Sequence, residues 1–259
     1  MIRGLMSIQY LNRIKKLDNQ KPLRSSVLDR NYRHAKGLQA CYLFNDKATK
    51  VWDFTRNGNV LDVVNASWVA DGMQFDANGE YAELDNINQV VNNDEGAIIL
   101  HVKSLSSIGD GILRSIFGSV GAVPAAGRFG LWKNGSSRLD FLLRDASVAL
   151  HRIQVNGSKV PNWETGTQIA LLWRRSDPFW NGDSMVINVD GNHVTPDVVT
   201  SEVNWSSTTV NTPLAVGNDM GATTRYANCI FSYVYIYNRI LNETILKNIY
   251  KKPYAMFIR

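Results

Sequence analysis

Cysteine is nearly absent: the chain holds two in 259 residues, Cys41 and Cys229. Two thiols so far apart cannot build a disulfide framework, and they match no paired-cysteine spacing that holds zinc. Long apolar runs are also missing, and nothing approaches the roughly 18 residues that a membrane-spanning helix needs. The opening Met1-Ile2-Arg3-Gly4-Leu5-Met6-Ser7 lacks the apolar centre and small-residue cleavage site of a secretory signal, so export by that route is not expected. Histidine is confined to His34, His101, His151 and His193, with no zinc spacing and no local Ser/His/Asp motif. The glycines between Gly118 and Gly130 lack the Gly-Lys-Ser/Thr ending of a phosphate loop. These absences point away from the commoner catalytic classes and toward a binding or structural role.

What is present is an ordinary globular composition, 44% hydrophobic and 20% charged, at a length that suits one large β-domain. The net charge of +5 is unevenly spread. Residues 1 to 37 carry nine basic side chains against Asp18 and Asp29, a balance of +7, whereas the rest of the chain stands at −2. Such asymmetry suggests a basic arm, residues 1–36, that docks on an acidic surface and precedes a body of residues 37–259. Within the arm, Ser7 can cap a short helix running to about Asp18, with Ile8, Leu11 and Ile14 on its apolar line and Arg13, Lys15 and Lys16 flanking it. With Arg24, Arg30 and Arg33, these residues form the expected partner-binding set. The stripe lacks the bulk of an interfacial helix, so no membrane is expected. Aromatics interleaved with the bases are few and no reader motif follows, so nucleic acid is not the expected partner.

From Gly37 onward, short β-rich runs alternate with Gly, Asn and Asp turns. The pattern predicts strands at 38–44, 73–76, 81–84, 97–105, 115–120, 129–133, 138–144, 148–155, 168–174, 185–189, 213–216 and 229–237. Asn134-Gly135 and Asp190-Gly191 supply residues that tolerate the positive φ of tight hairpins. In the last run, strict alternation places Ile230, Ser232, Val234 and Ile236 on one face and Phe231, Tyr233, Tyr235 and Tyr237 on the other, so the strand should lie inside a sheet. Asn242 then caps a helix from Glu243 to about Lys251, with Ile245, Leu246 and Ile249 facing inward. The expected fold is all-β: a two-sheet antiparallel jelly-roll sandwich with a short C-terminal helix and the N-terminal arm.

Several segments resemble the laminin-G-like jelly rolls of the concanavalin A-like lectin and glucanase superfamily. Gly37-Leu38-Gln39-Ala40-Cys41-Tyr42-Leu43-Phe44 is similar to the family's first core strand. Asp53-Phe54-Thr55-Arg56-Asn57-Gly58-Asn59 resembles its "D-x-S-G-N-G-N" turn, and Gly72 to Asp76 followed by Glu80 to Leu84 resembles the "L-x-F-D-G … D-Y-V" strand pair. Tyr233 to Ile245 resembles the closing strand and helix, "V-x-I-Y-N-R-A-L-S-x-E-E-I". The likeness implies that the first and last core strands are neighbours, which would bring Cys41 and Cys229 onto adjacent strands. A glycine often precedes the closing strand; Asn228 stands there, and a bend is expected to be lost.

The lead-in Asn31 to Leu38 and the ending Lys252 to Phe257 are similar to structural modules of tailed bacteriophages. That resemblance implies a non-enzymatic virion protein assembled in the host cytoplasm. The first expectation is a capsid decoration protein whose arm binds other virion proteins, the major capsid protein foremost, with a homo-oligomer open as a further partner. The alternative is a lectin-like module of a tail appendage that binds host glycan, with Trp180 and Trp205 as its stacking residues. Glucanases of the superfamily need carboxylates in a Glu-x-Asp-x-x-Glu spacing, which this chain lacks, so no catalytic residue is assigned. No metal or other cofactor is expected; were calcium bound as in relatives, Asp53, Asp76 and Asp85 would be its candidate ligands.

Overall fold

The computed structural model describes residues 21–22, 26–45, 48–92, 94–119, 128–144, 149–180, 182–200, 212–218 and 225–258. The arm residues Ile8, Leu11, Arg13, Ile14, Lys15, Lys16 and Arg24 lie outside this set, and so does Trp205. No helix among the described residues is long and apolar enough to cross a membrane.

Two antiparallel sheets form the body. In chain order the described strands are β1 (Val27–Leu28), β2 (Leu38–Leu43), β3 (Lys50–Val51), β4 (Leu61–Val64), β5 (Ser67–Val69), β6 (Gly72–Phe75), β7 (Tyr81–Leu84), β8 (Glu95–Ser104), β9 (Arg114–Ser119) and β10 (Phe129–Lys133). There follow β11 (Arg138–Arg144), β12 (Leu150–Asn156), β13 (Thr167–Arg174), β14 (Met185–Val189), β15 (Asn192–Val194), β16 (Val198–Thr200), β17 (Leu214–Val216), β18 (Cys229–Tyr237), helix α1 (Glu243–Lys251) and β19 (Phe257–Ile258). One sheet runs β16-β12-β11-β10-β9-β17-β7-β4-β3. The other runs β15-β14-β13-β8-β18-β6-β5, with β2 also paired to β18. The all-β sandwich expected from the sequence is what forms, and each of the twelve expected strands falls on an observed one.

The core between the sheets follows from the two-residue period of strands. Ala40, Tyr42, Ile98, Leu100, Ile169, Leu171 and Trp173 from one sheet meet Phe117, Phe129, Leu139, Phe141 and Ile153 from the other. Trp173 sits at its centre, edge-on to Phe129 and Phe141, with its indole N–H donated to Asn92 O at 2.8 Å.

A second apolar layer covers the outer face of the β18 sheet. Cys41, Leu43, Ala97, Ile99, Tyr233, Tyr235 and Tyr237 lie beneath Leu246 and Ile249 of α1 and beneath Met256 and Phe257. This layer explains why β18 and β13 are apolar on both faces. Asn242 caps α1 as expected, its side chain accepting from Ile245 N at 2.9 Å.

Four local expectations change. The alternation along β18 breaks, because the register shifts between Phe231 and Tyr233. The bulge turns Cys229 and Phe231 to the same inner face as Val234 and Ile236, leaving the three tyrosines outside. Cys41 and Cys229 do lie on adjacent strands, but Cys41 is opposite Tyr235 and faces the outer layer while Cys229 faces the inner core. Both are free thiols, and burial pushes both up, Cys229 to about 12. Asn228 keeps the bend, at φ 54°, since Asn tolerates the left-handed region. In the β10–β11 hairpin the left-handed residue is Ser137, at φ 61°, and Asn134 serves instead as an acceptor for Ser136 N and Arg138 N. The Asp190-Gly191 turn has positive φ at both residues, as expected.

Residues 26–36 pack on the body. Strand β1 pairs with β19, Leu28, His34 and Ala35 are buried, and Asp29 N donates to Met256 O at 2.8 Å.

Candidate functional site

The turn after β3 builds a concavity with aromatic walls. Asp53 organises it. Its Oδ1 accepts from Cys41 N at 3.0 Å and Thr55 N at 2.9 Å, and its Oδ2 accepts from Thr55 Oγ1 at 2.6 Å and Asn59 Nδ2 at 3.3 Å. The carboxylate therefore ties the free edge of β2 to the turn, which is what an Asp followed by Thr and Asn at these spacings can do.

The result is a cavity of about 280 Å³ at the place where the edge strands of the two sheets, β3 and β5, approach each other. That is close to the small end of ligand cavities, about 300 Å³. Trp52, Phe54 and Trp68 supply aromatic wall, and Lys50 and Arg56 lie at the polar rim. Trp52 is 46% exposed. Trp68 is fixed by its indole N–H on Ala48 O at 3.1 Å, and Phe54 is pinned edge-on against Phe257 at 5.4 Å. Arg56 stands where the turn motif that this segment resembles has glycine, and its φ is 63°. For a side chain with a Cβ that conformation costs roughly 1–2 kcal/mol.

A second cavity, about 200 Å³, lies beside His101, Ser232, Tyr233, Tyr250 and Tyr254. Three of its polar groups have hydrogen-bond partners. Ser232 Oγ donates to Asp71 O at 2.9 Å and lies 3.1 Å from His101 Nδ1, while Tyr233 donates to Gln168 Oε1 at 2.9 Å. Burial holds His101 below the usual imidazole range, so the ring is neutral at pH 7.

On the outer face of the β16–β3 sheet, Asp140 accepts from Gln154 Nε2 at 2.7 Å and Asn134 Nδ2 at 2.8 Å. Arg152 Nη1 is 4.0 Å away, and burial pushes the Asp140 carboxyl up. The other outward residues of β11 and β12 are Arg138, Leu142, Arg144, Leu150, Arg152, Gln154 and Asn156, so these strands offer no second carboxylate beside it. Glu80 is bound to Asp76 N and Ala77 N at 2.6 and 2.9 Å, a turn-capping role.

The residues singled out from the sequence are dispersed. Trp180 lies at the β13–β14 connection, half-buried and stacked on His193 with ring centroids 5.4 Å apart. Arg30 donates to Thr55 O of the body, whereas Arg33 is exposed and its Nε lies 3.2 Å from the neighbouring His34 Nε2. Asp53 has its oxygens committed as above, Asp76 Oδ2 accepts from Gln74 at 2.6 Å, and Asp85 is exposed beyond β7. Among the described residues no three His, Cys, Asp or Glu side chains converge. Trp52 and Trp68 were legible only as tryptophans. The signal that could have found them is their position on either side of the Asp53 turn.

No protein-family model and no curated protein matches the chain. Solved structures do. The Trypanosoma rangeli sialidase in complex with sialic acid aligns with a TM-score of 0.61 at 17% identity, over 83% of this chain and 32% of that one. The botulinum neurotoxin serotype D binding domain aligns at 0.62 and 10% identity, and the type G receptor binding domain at 0.57 and 14%, each over 83% of this chain and 51% of the other. These likenesses show a shared all-β sandwich fold. The chain spans about a third of the sialidase and about half of the binding domains, so the neighbours include both an enzyme and binding domains.

Proposed function

We propose that this chain is a non-enzymatic, lectin-like binding protein of a bacteriophage virion, a concanavalin A-like sandwich whose Trp52–Trp68 cavity takes a sugar residue of a host glycan. The observation that carries the reading is the exposed Trp52 over a cavity whose one described carboxylate, Asp53, is consumed by four hydrogen bonds. A pyranose stacks its apolar face on an indole while its hydroxyls need donors and acceptors at the rim. With no free acid in the cavity, and Asp140 without a partner carboxylate on its strands, the paired groups of glycoside hydrolysis are missing from both places. The sialidase and neurotoxin neighbours agree with a fold that presents ligands, and they carry the argument no further.

The test is direct binding of the purified protein to host surface polysaccharide. Trp52→Ala is expected to weaken binding about tenfold or more, while the protein stays folded at a cost of about 1–3 kcal/mol for the half-buried indole. Trp180→Ala is expected to leave binding intact. The opposite pattern would move the site to the β13–β14 end.

A second reading, capsid decoration, is favoured by the charge division: +7 over residues 1 to 37 against −2 over the rest. In it the basic residues dock on an acidic shell and bound copies stabilise the assembled state by mass action. Deleting residues 1–20 should abolish incorporation into particles while the sandwich stays folded. The deletion stops there because Leu28, His34 and Ala35 belong to the packing of the body. Normal incorporation of the truncated chain would discard this reading.

A further inference from the structure

The cavity has a feature that a neutral sugar does not require. Arg56 occupies a left-handed backbone position, φ 63°, and its N–H donates to Asp53 O at 3.1 Å, a bond that glycine would make equally well. Its side chain is exposed, lines the cavity and takes part in none of the ion pairs among the described residues. The fold therefore carries backbone strain at this residue and, among the described residues, gains no ion pair from the guanidinium.

The lining carries two cations, Lys50 and Arg56, against one carboxylate, Asp53. Asp53 turns both oxygens to the turn's own donors, and the other ionic group of the lining, Lys50, is a cation shared with exposed Asp62 at 2.9 Å. A guanidinium presents a planar fork that matches a carboxylate with two parallel hydrogen bonds, and next to an indole wall it can hold the acid of a ring stacked on that wall.

We propose that Arg56 makes this cavity selective for sugars that bear a carboxylate, its fork taking the acid while Trp52 takes the ring. The proposal rests on the glycan-binding reading and narrows it. Calorimetry with three probes separates the two: oligogalacturonate and 3′-sialyllactose as the two sources of a sugar acid, and lactose as the neutral arm.

The wild type should bind at least one acidic probe about tenfold more tightly than lactose, as one charge-assisted pair allows, and that preference should fall as salt rises. Arg56→Gly should melt at the same temperature or higher, because glycine accepts this φ, while the acidic-to-neutral ratio falls toward one. Arg56→Lys, which keeps the charge and loses the fork, should retain part of the ratio. Equal binding of acidic and neutral probes, or an unchanged ratio in Arg56→Gly, overturns the proposal and leaves the glycan reading standing. Binding of none of the probes, or of any host polysaccharide, removes both.

Discussion

Asp53→Ala should unfold about 10 °C below the wild type, the largest loss expected from any single polar side chain of the site. The buried carboxylate accepts four hydrogen bonds, two of them from the backbone N–H groups of Cys41 and Thr55. Cys41 is wholly buried and Thr55 nearly so, which means that water cannot replace the lost acceptor. An unmet buried donor costs about 1–3 kcal/mol, so two of them bring the total to roughly 3–5 kcal/mol with the hydroxyl and amide partners. At about 2–4 °C per kcal/mol for a domain of this size, a shift of that order follows. Asp53→Asn should cost far less. It keeps Oδ1 for the two backbone donors and loses only the Oδ2 contacts, of which the Thr55 hydroxyl can turn to accept. Thermal melts of the three proteins decide the matter, and wild-type stability of the alanine variant would mean that something else holds the turn.

Asp110→Ala is expected to be similarly severe for an electrostatic reason. Asp110 accepts from Arg114 Nε and Nη2 at 3.1 and 2.7 Å, from Ile112 N at 3.0 Å, and from Lys133 Nζ in a short contact. Lys133 is fully buried and Arg114 is 3% exposed, so among the described residues one carboxylate balances two cations out of reach of water. Removing it leaves both uncompensated, at a cost of about 3–5 kcal/mol. In the double variant Asp110→Ala, Lys133→Met the remaining cation, Arg114, still rests over Tyr226 at 5.4 Å, and much of the loss should return.

The pH dependence has a definite sign. Burial holds the Lys133 ammonium below the usual lysine range, so the folded state binds fewer protons than the unfolded one in the alkaline window below the ordinary lysine value. Stability from this group therefore rises with pH there. Loss of Asp110 deepens the effect, and the gap between Asp110→Ala and wild type should narrow as pH rises through that window. A gap independent of pH in urea titrations would count against the buried charge as its cause.

How far the sequence reaches is visible strand by strand. The twelve expected strands are those with apolar residues on one or both faces, where burial alone selects the element. The seven it missed, β1, β3, β4, β5, β15, β16 and β19, have two to four residues each. Strands so short gain their pairing from neighbours already in place: β1 and β19 come from opposite ends of the chain. No local pattern records such a contact. The same limit hid the bulge at Ser232, because a register shift is set by the strands that flank β18, which are β8, β6 and β2.

For the site the division is sharper. The Asp53-Phe54-Thr55-Arg56-Asn57-Gly58-Asn59 turn could be read from the sequence, as could the scarcity of cysteine, the lack of a Glu-x-Asp-x-x-Glu spacing and the +7 balance of the first 37 residues. These are local or compositional, and short-range hydrogen bonding or simple counting fixes them. That Trp52 and Trp68 share a cavity was decided by the tertiary structure alone, since it takes the meeting of two sheet edges to bring β3 and β5 together. Packing likewise decided that Trp180 stacks on His193 and that Cys41 and Cys229 face different layers. Side-chain chemistry is written in the chain, but which groups meet depends on long-range burial that no segment encodes by itself.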